Sequence, residues 1–289
     1  MGGEKTGQGT PSAKRASPRL VENAAQLLDG LSRDLAEAQA GAPVHAARRR
    51  IKRLRSYIVL MEPIIGTAVS KDASRHLKTA ADALSLLRRH EALNTAVQHL
   101  SDKLPKAHGL DRLVADYHEA HVVSTSPGKS LLTARQAVEA AVRIAGIWRL
   151  PRTKLPAMSE AFAHTYRKAR KMLRRALKSG DASDLHQARK QVIHHLHHLE
   201  LLADALPRDP APRIAKLNDL RNLLGDFNDL VELEGLGAPS AFDSEVLKII
   251  RTERKKLLHQ ARKAWKPLFG EKTNAFIKDI GAIWPQSQT

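Results

Sequence analysis

The chain contains no cysteine. Disulfide bridges and thiolate metal sites are therefore excluded, and a reducing compartment is the natural expectation. Aromatic side chains are few: three Trp, three Tyr and five Phe in 289 residues. Proteins that read single-stranded nucleic acid stack bases on such rings, so that class is poorly supplied here. No apolar run approaches the length of a membrane-spanning helix, and the start of the chain carries no secretory pattern. A cytoplasmic protein without membrane contact is the expectation. Alternating β-branched runs are missing, so no strand is expected. Acids are scarce beside bases, 30 against 48 Lys and Arg, for a formal net charge of +18 and a pI of about 10.3. Such an excess predicts affinity for a polyanion: nucleic acid, a membrane surface or a phosphate polymer. P-loop glycines, HExxH and nucleophile motifs are all absent. The most basic stretches hold no acids that could carry Mg²⁺. These absences lead to an expectation of a binding protein, not an enzyme, with no catalytic residue, no cofactor and no metal.

What is present is helical periodicity. In residues 43–61, PVHAARRRIKRLRSYIVLM, the apolar positions Val44, Ala47, Ile51, Leu54, Ile58 and Met61 recur every three or four residues. That is a core-facing stripe. Six basic residues lie between Arg48 and Arg55 without an acid among them. A solvated helix face usually mixes both signs of charge, so this one reads as a surface for a polyanion. Further helices are expected over residues 20–40, 72–100, 110–122 and 131–148, then 159–179, 185–206, 213–233 and 242–265, with a short apolar tail over 273–284. Residues 1–18 read as a disordered tail. Pro63 and Gly66 should break the second helix, Gly180 should close a later one, and Ser183 or Asp184 should cap the next. Pro151 and Pro156 bracket a basic linker, dividing the chain into halves at residues 19–150 and 157–284.

The halves repeat one another. LHQARKQVIHHLHHLELL, residues 185–202, aligns without gaps on residues 44–61. His186 matches His45, Arg189 matches Arg48 and Val192 matches Ile51. Two similar helical bundles are therefore expected. The pattern resembles the conserved histidine α-helical domain, or CHAD domain, in VHAARRRIKRLRSY, in LHQARK followed by ELL, and in LNDLRNLLGDFNDLVEL. The likeness extends over nearly the whole chain, from about Leu20 to Trp284. It implies an all-α fold of two four-helix bundles related by a pseudo-twofold axis. It also implies binding of inorganic polyphosphate by basic helix faces that converge on a central groove or pore, and association with polyphosphate granules in some members.

The candidate ligand residues follow. In the first half they are His45, Arg48, Arg49, Lys52, Arg53, Arg55, Arg88 and Arg89. In the second they are Arg167, Arg170, Lys171, Arg174, His186, Arg189, Lys190, His194, His197, Arg251 and Lys255. A polyphosphate chain offers no bases to stack on, only charge and oxygens, which Arg forks and Lys point charges match. The second copy departs from the family by carrying His194, His195, His197 and His198 where a basic run is usual. Its ligand face is expected to strengthen as these rings protonate. The pair His194 and His198, one turn apart, has a spacing that can hold a metal, but no third ligand is in register. The alternatives are a basic helical protein that binds nucleic acid non-specifically and a metal-dependent phosphohydrolase with scattered ligands. Oligomeric state is not legible.

Overall fold

The computed structural model describes residues 16–85, 127–145, 155–203, 206, 209–235 and 244–280. Among them are nine helices and no strand: α1 (Ala16–Gln39), α2 (His45–Ile65), α3 (Thr67–Ala83), α4 (Pro127–Ala145), α5 (Leu155–Ser179), α6 (Ala182–Leu202), α7 (Ala211–Glu234), α8 (Ser244–Phe269) and α9 (Thr273–Ile280). No helix among the described residues is long and apolar enough to cross a membrane. Helix α1 begins inside the stretch expected as tail. The expected helix over 110–122 lies outside the described residues.

Local chemistry explains several boundaries. Pro63 does not end α2; it sits in the last turn, and Gly66, at a φ of 88°, makes the break. A glycine tolerates that left-handed backbone without a Cβ clash. Gly180 closes α5 in the same way at a φ of 70°, its N–H donating to the Ala176 carbonyl at 2.8 Å. The cap of α6 is Asp181, whose carboxylate accepts from the Asp184 N–H at 2.7 Å, so neither Ser183 nor Asp184 performs that role. Pro156 belongs to the first turn of α5 and not to a linker, as suits a residue without an N–H to satisfy there.

Helix α1 packs on α2, α2 on α3, α3 on α4, and α4 returns to α1. The second half repeats this order with α5 on α6, α6 on α7, α7 on α8, and α8 back on α5. The result is two four-helix bundles, with α9 laid against α5. The apolar stripe of α2 does what its period requires: Ala47, Ile51, Leu54, Ile58 and Met61 are all buried. Burying each large side chain contributes roughly 1.5–3 kcal/mol. The pseudo-twofold axis remains an expectation from the repeat. Equivalent positions do meet, however, since Ser56 and His197 align in the two copies and their side chains touch.

That contact belongs to the junction between the bundles, where α2 packs against both α5 and α6. Ser56 Oγ lies 2.9 Å from His194 Nδ1 and 2.9 Å from His197 Nδ1, and donates to the Lys52 carbonyl at 3.0 Å. His198 Nε2 meets the Ser56 carbonyl at 2.8 Å, and its Nδ1 lies 3.1 Å from Thr165 Oγ1 on α5. A donated Ser56 proton leaves the oxygen to accept from both rings, which makes His194 and His197 Nδ1–H tautomers. His195 faces the other way, into a box of Phe162, Tyr166, Phe269 and Phe276, with ring centroids 5.3–5.8 Å away. Three of the five phenylalanines are thus spent around one buried imidazole.

Burial holds these rings neutral. It pushes His194 down to about 4 and His198 down to about 3, and holds His195 and His197 well below the usual histidine range. The unfolded chain takes up protons below about 6.5 while the folded chain does not, so stability is full above that pH and is lost as pH falls. Each ring costs about 1.4 kcal/mol per pH unit between 6.5 and its folded value. Urea midpoints are therefore expected to drop steeply from pH 7.5 to pH 5.5. Flat midpoints over that range would contradict a neutral histidine junction.

Candidate anion-binding site

The basic residues of α2 do not share one environment. Lys52 and Arg55 lie on the flank that meets α6 residues His186, Lys190 and His194. Charge coupling defines the cluster. Burial lowers Arg55, opposed only by Asp82. Burial, with Arg55 and Lys78 adding to it and Asp82 opposing, lowers Lys190. Burial, then Lys190, Arg189 and Lys52, lowers His186. Arg55 and Lys168 add to the burial that depresses His194. Four helices, α2, α3, α5 and α6, thus bring cations to one place. Asp82 is the one acid that couples to them among the described residues, and it is paired with Lys78 at 3.3 Å. Arg55 Nε is buried and has no hydrogen-bond partner among the described residues. An unpaired buried donor in a cationic field is a feature that an anion would satisfy.

Arg49 and Arg53 lie a step further round α2 and face α7. Arg53 Nη2 meets Glu200 Oε2 at 2.8 Å. Arg221 is lowered by burial, opposed by Glu200, with Arg49 and Arg53 adding to the effect. The seam between the bundles therefore has two mouths: one around Arg55, and one where Arg53 pairs with Glu200 close to Arg221.

The two signature arginines have a different position again. Arg48 Nη1 donates to the Ala81 carbonyl on α3, and Arg189 Nε donates to the Arg221 carbonyl on α7 at 3.3 Å. In each bundle the equivalent arginine ties its helix to the next one. Gly225, inside the LLGDFNDL segment, makes room for this: a Cβ there would stand 3.0 Å from Arg189 Nη2. His45 is exposed at the first residue of α2; His186, near the start of α6, keeps an exposed edge while its ring is partly desolvated by its neighbours.

On α5, Arg167, Lys171, Arg174 and Lys178 project into a cleft of about 750 Å³, and none of the four has an acid partner among the described residues. Arg175, beside them, pairs with Asp184 at 3.3 Å. Arg170 also lines this cleft, but its Nε donates to the Phe269 carbonyl at 2.9 Å, closing the end of α8. Lys168, on the same helix, acts on His194 together with Arg55. Arg251 is held by Glu234 at 3.2 Å on α7, and Lys255 is exposed on α8, which packs on α5 and α7. Neither is brought to the seam. Arg88 and Arg89 lie outside the described residues.

One expectation is overturned. His197 is only 6% exposed and His195 and His198 are fully buried. These rings are junction groups that resist protonation, so they do not provide a ligand face that charges near pH 6. The pair His194 and His198 also spends both Nδ1 atoms on hydroxyl groups, and no cluster of three or more metal-ligating side chains exists among the described residues. The residues missed by sequence reasoning are Lys78, Lys168, Glu200 and Arg221. Only the basic context of Lys168 was visible beforehand. The others enter through packing between helices distant in sequence.

The family model of the CHAD domain matches residues 18–238. The fold and that match define an all-helical CHAD-domain protein, and the chain belongs to this family. Among solved structures, the chain is similar to the CHAD domain from the plant Ricinus communis, at 17% identity and a TM-score of 0.49, covering 96% of this chain and 98% of that one. A search of curated proteins gives no match.

The backbone ties of the signature arginines carry a prediction. Arg48→Ala and Arg189→Ala should each destabilise the fold by roughly 1.5–3 kcal/mol, the range for a hydrogen bond from a charged group. Urea denaturation measures this. A loss of anion affinity at unchanged stability would show instead that they act on the ligand.

Proposed function

We propose that the protein binds inorganic polyphosphate at the Arg55 mouth of the seam between its bundles, without catalysing a reaction. The supporting observation is the Arg55 cluster itself: Arg55, Lys190, Lys78 and Lys168 from four helices, one already paired acid, and a buried guanidinium N–H without a partner among the described residues. Rigid helices hold these donors in place, so little side-chain order is lost on binding. The α5 cleft, on the helix that also carries Lys168, offers a flexible polyanion a second stretch of exposed Arg and Lys. Membership of the CHAD family supports polyphosphate as the polyanion, and a ligand without bases or sugars suits a site where the described Tyr and Phe rings are buried in the core. Granule association would follow from such binding.

A phosphohydrolase would need carboxylates free to hold a cation against the phosphate. Asp82, the acid at this mouth, is neutralised by Lys78. Duplex nucleic acid is the competing ligand, since phosphate contacts dominate its binding as well.

Titration with long-chain polyphosphate and with duplex DNA at equal charge and physiological salt separates the two. Polyphosphate should bind more tightly and resist displacement by DNA; displacement at equal charge would overturn the reading. Arg55→Ala should weaken polyphosphate binding roughly ten- to a hundredfold, equivalent to about 1.5–3 kcal/mol for a charge-assisted bond. Arg135→Ala, which removes a cation paired with Glu139 on α4, should change it less than about twofold, as expected for an exposed ion pair. Equal effects of the two substitutions would mean that binding is diffuse and not centred on Arg55.

A further inference from the structure

The second mouth of the seam is richer in arginine than the first and is arranged differently. Arg53 of α2 is bonded to Glu200 of α6 at 2.8 Å, and Arg221 of α7 feels the charges of Glu200, Arg49 and Arg53. Glu200 is largely enclosed, with its side chain 22% exposed against 48% for Arg53. It stands one turn beyond His197, whose ring is fixed on Ser56, so the carboxylate is carried by the best-anchored part of α6. Beside the pair opens a cavity of about 370 Å³, lined by Asn23, Gln26, Arg50, Arg53, His197 and Glu200. There is room here for a phosphate group, and two arginines line it, Arg53 bound to Glu200 and Arg50 bound to Asp34 at 2.7 Å. The edge of Arg53 that a phosphate would take is held by the Glu200 carboxylate, of the same charge sign. At the first mouth the comparable acid, Asp82, pairs with Lys78 and leaves Arg55 Nε without a partner.

We propose that Glu200 is a built-in counter-anion that closes the Arg49–Arg53–Arg221 mouth to polyphosphate and confines binding to the Arg55 mouth. An incoming phosphate would have to displace Glu200 from Arg53 and then lie beside an unpaired carboxylate. Like charges at that distance oppose entry. Glu200 is thus a specificity-determining residue that makes the seam one-sided. This inference rests on the polyphosphate reading above.

Glu200→Gln keeps the shape and removes the charge. Polyphosphate affinity at physiological salt should rise at least about fivefold. The plot of log K against log salt should steepen by roughly one to two, one additional phosphate contact contributing about 0.7–0.9 by analogy with nucleic acids. Arg53→Ala with Arg221→Ala should alter wild-type binding less than about twofold, yet abolish the gain when combined with Glu200→Gln. Glu232→Gln, an equal change of charge at an exposed position of α7, controls for net charge and should reproduce neither effect. An unchanged Glu200→Gln variant, or a gain that survives loss of both arginines, overturns the proposal. The two readings fail differently: wild-type protein that does not bind polyphosphate refutes the binding function, whereas normal wild-type binding with an unresponsive Glu200→Gln variant refutes only the role of Glu200.

Discussion

The structure depends on a small polar junction inside an apolar interface. Ser56 on α2 receives His194 and His197 from α6 on one oxygen, and its carbonyl receives His198, whose other nitrogen reaches Thr165 on α5. Buried polar groups are costly unless each finds a partner, so this network has only one satisfactory register. A shift of α2 along α6 by one residue would leave several buried nitrogens unpaired. The junction therefore fixes how the bundles meet, and with it which cations face each other across the seam. Packing alone would tolerate sliding; the hydroxyl and the imidazoles do not.

That constraint accounts for a sequence that otherwise seems wasteful. Bringing Lys52 and Arg55 against His186, Lys190 and Lys168 costs electrostatic energy, because like charges are pressed together and partly desolvated. Further lysines or arginines in place of the four histidines would make the junction worse, since a buried cation without a counter-ion is far more expensive than a neutral ring. Histidine provides two hydrogen-bonding nitrogens and no charge at neutral pH. The second copy of the motif has therefore lost charge where its helix is buried and kept it at Lys190, where the helix reaches solvent. An asymmetric pair of helices can support a shared site in which two fully basic helices would repel one another.

Much of this was legible in the sequence. The apolar stripe of α2 was visible at its helical period, and every position expected to be core is buried. The repeat gave the two bundles, and the acid-free stretches are the cationic faces of α2 and α5. The histidines were misread because sequence shows a residue type and not its burial: a ring with a reference value near 6.5 was assigned a switch at that pH, when packing against Ser56 and the aromatic box moves it down. The signature arginines read as ligands in the sequence because they are basic, repeat and match the family motif, and the structure adds a tie to the neighbouring helix for each. Their backbone ties depend on α3 and α7 carbonyls some 30 residues away, 33 positions on from Arg48 and 32 from Arg189, which no local pattern reveals. The separation of Arg55 from Arg53 was illegible for a related reason. The two residues are neighbours in the chain, but the crossing of α2 over α6 sends one to each mouth.

This last point bears on how a basic helix becomes a site. Charge count alone would rank Arg49, Arg53 and Arg221 with Arg55 and Lys190. They differ in what neutralises them. At one mouth the acid is occupied by a lysine on its own helix, a turn away, so the guanidinium across from it stays available. At the other the acid reaches across the seam to Arg53 and is held by the same helix that anchors the junction. An ion pair within one exposed helix is easily screened and contributes little, whereas a partly enclosed pair between elements persists and must be broken before a ligand can enter. Selectivity for one face can therefore arise from where two carboxylates are placed, with the surrounding cations left nearly equal in number.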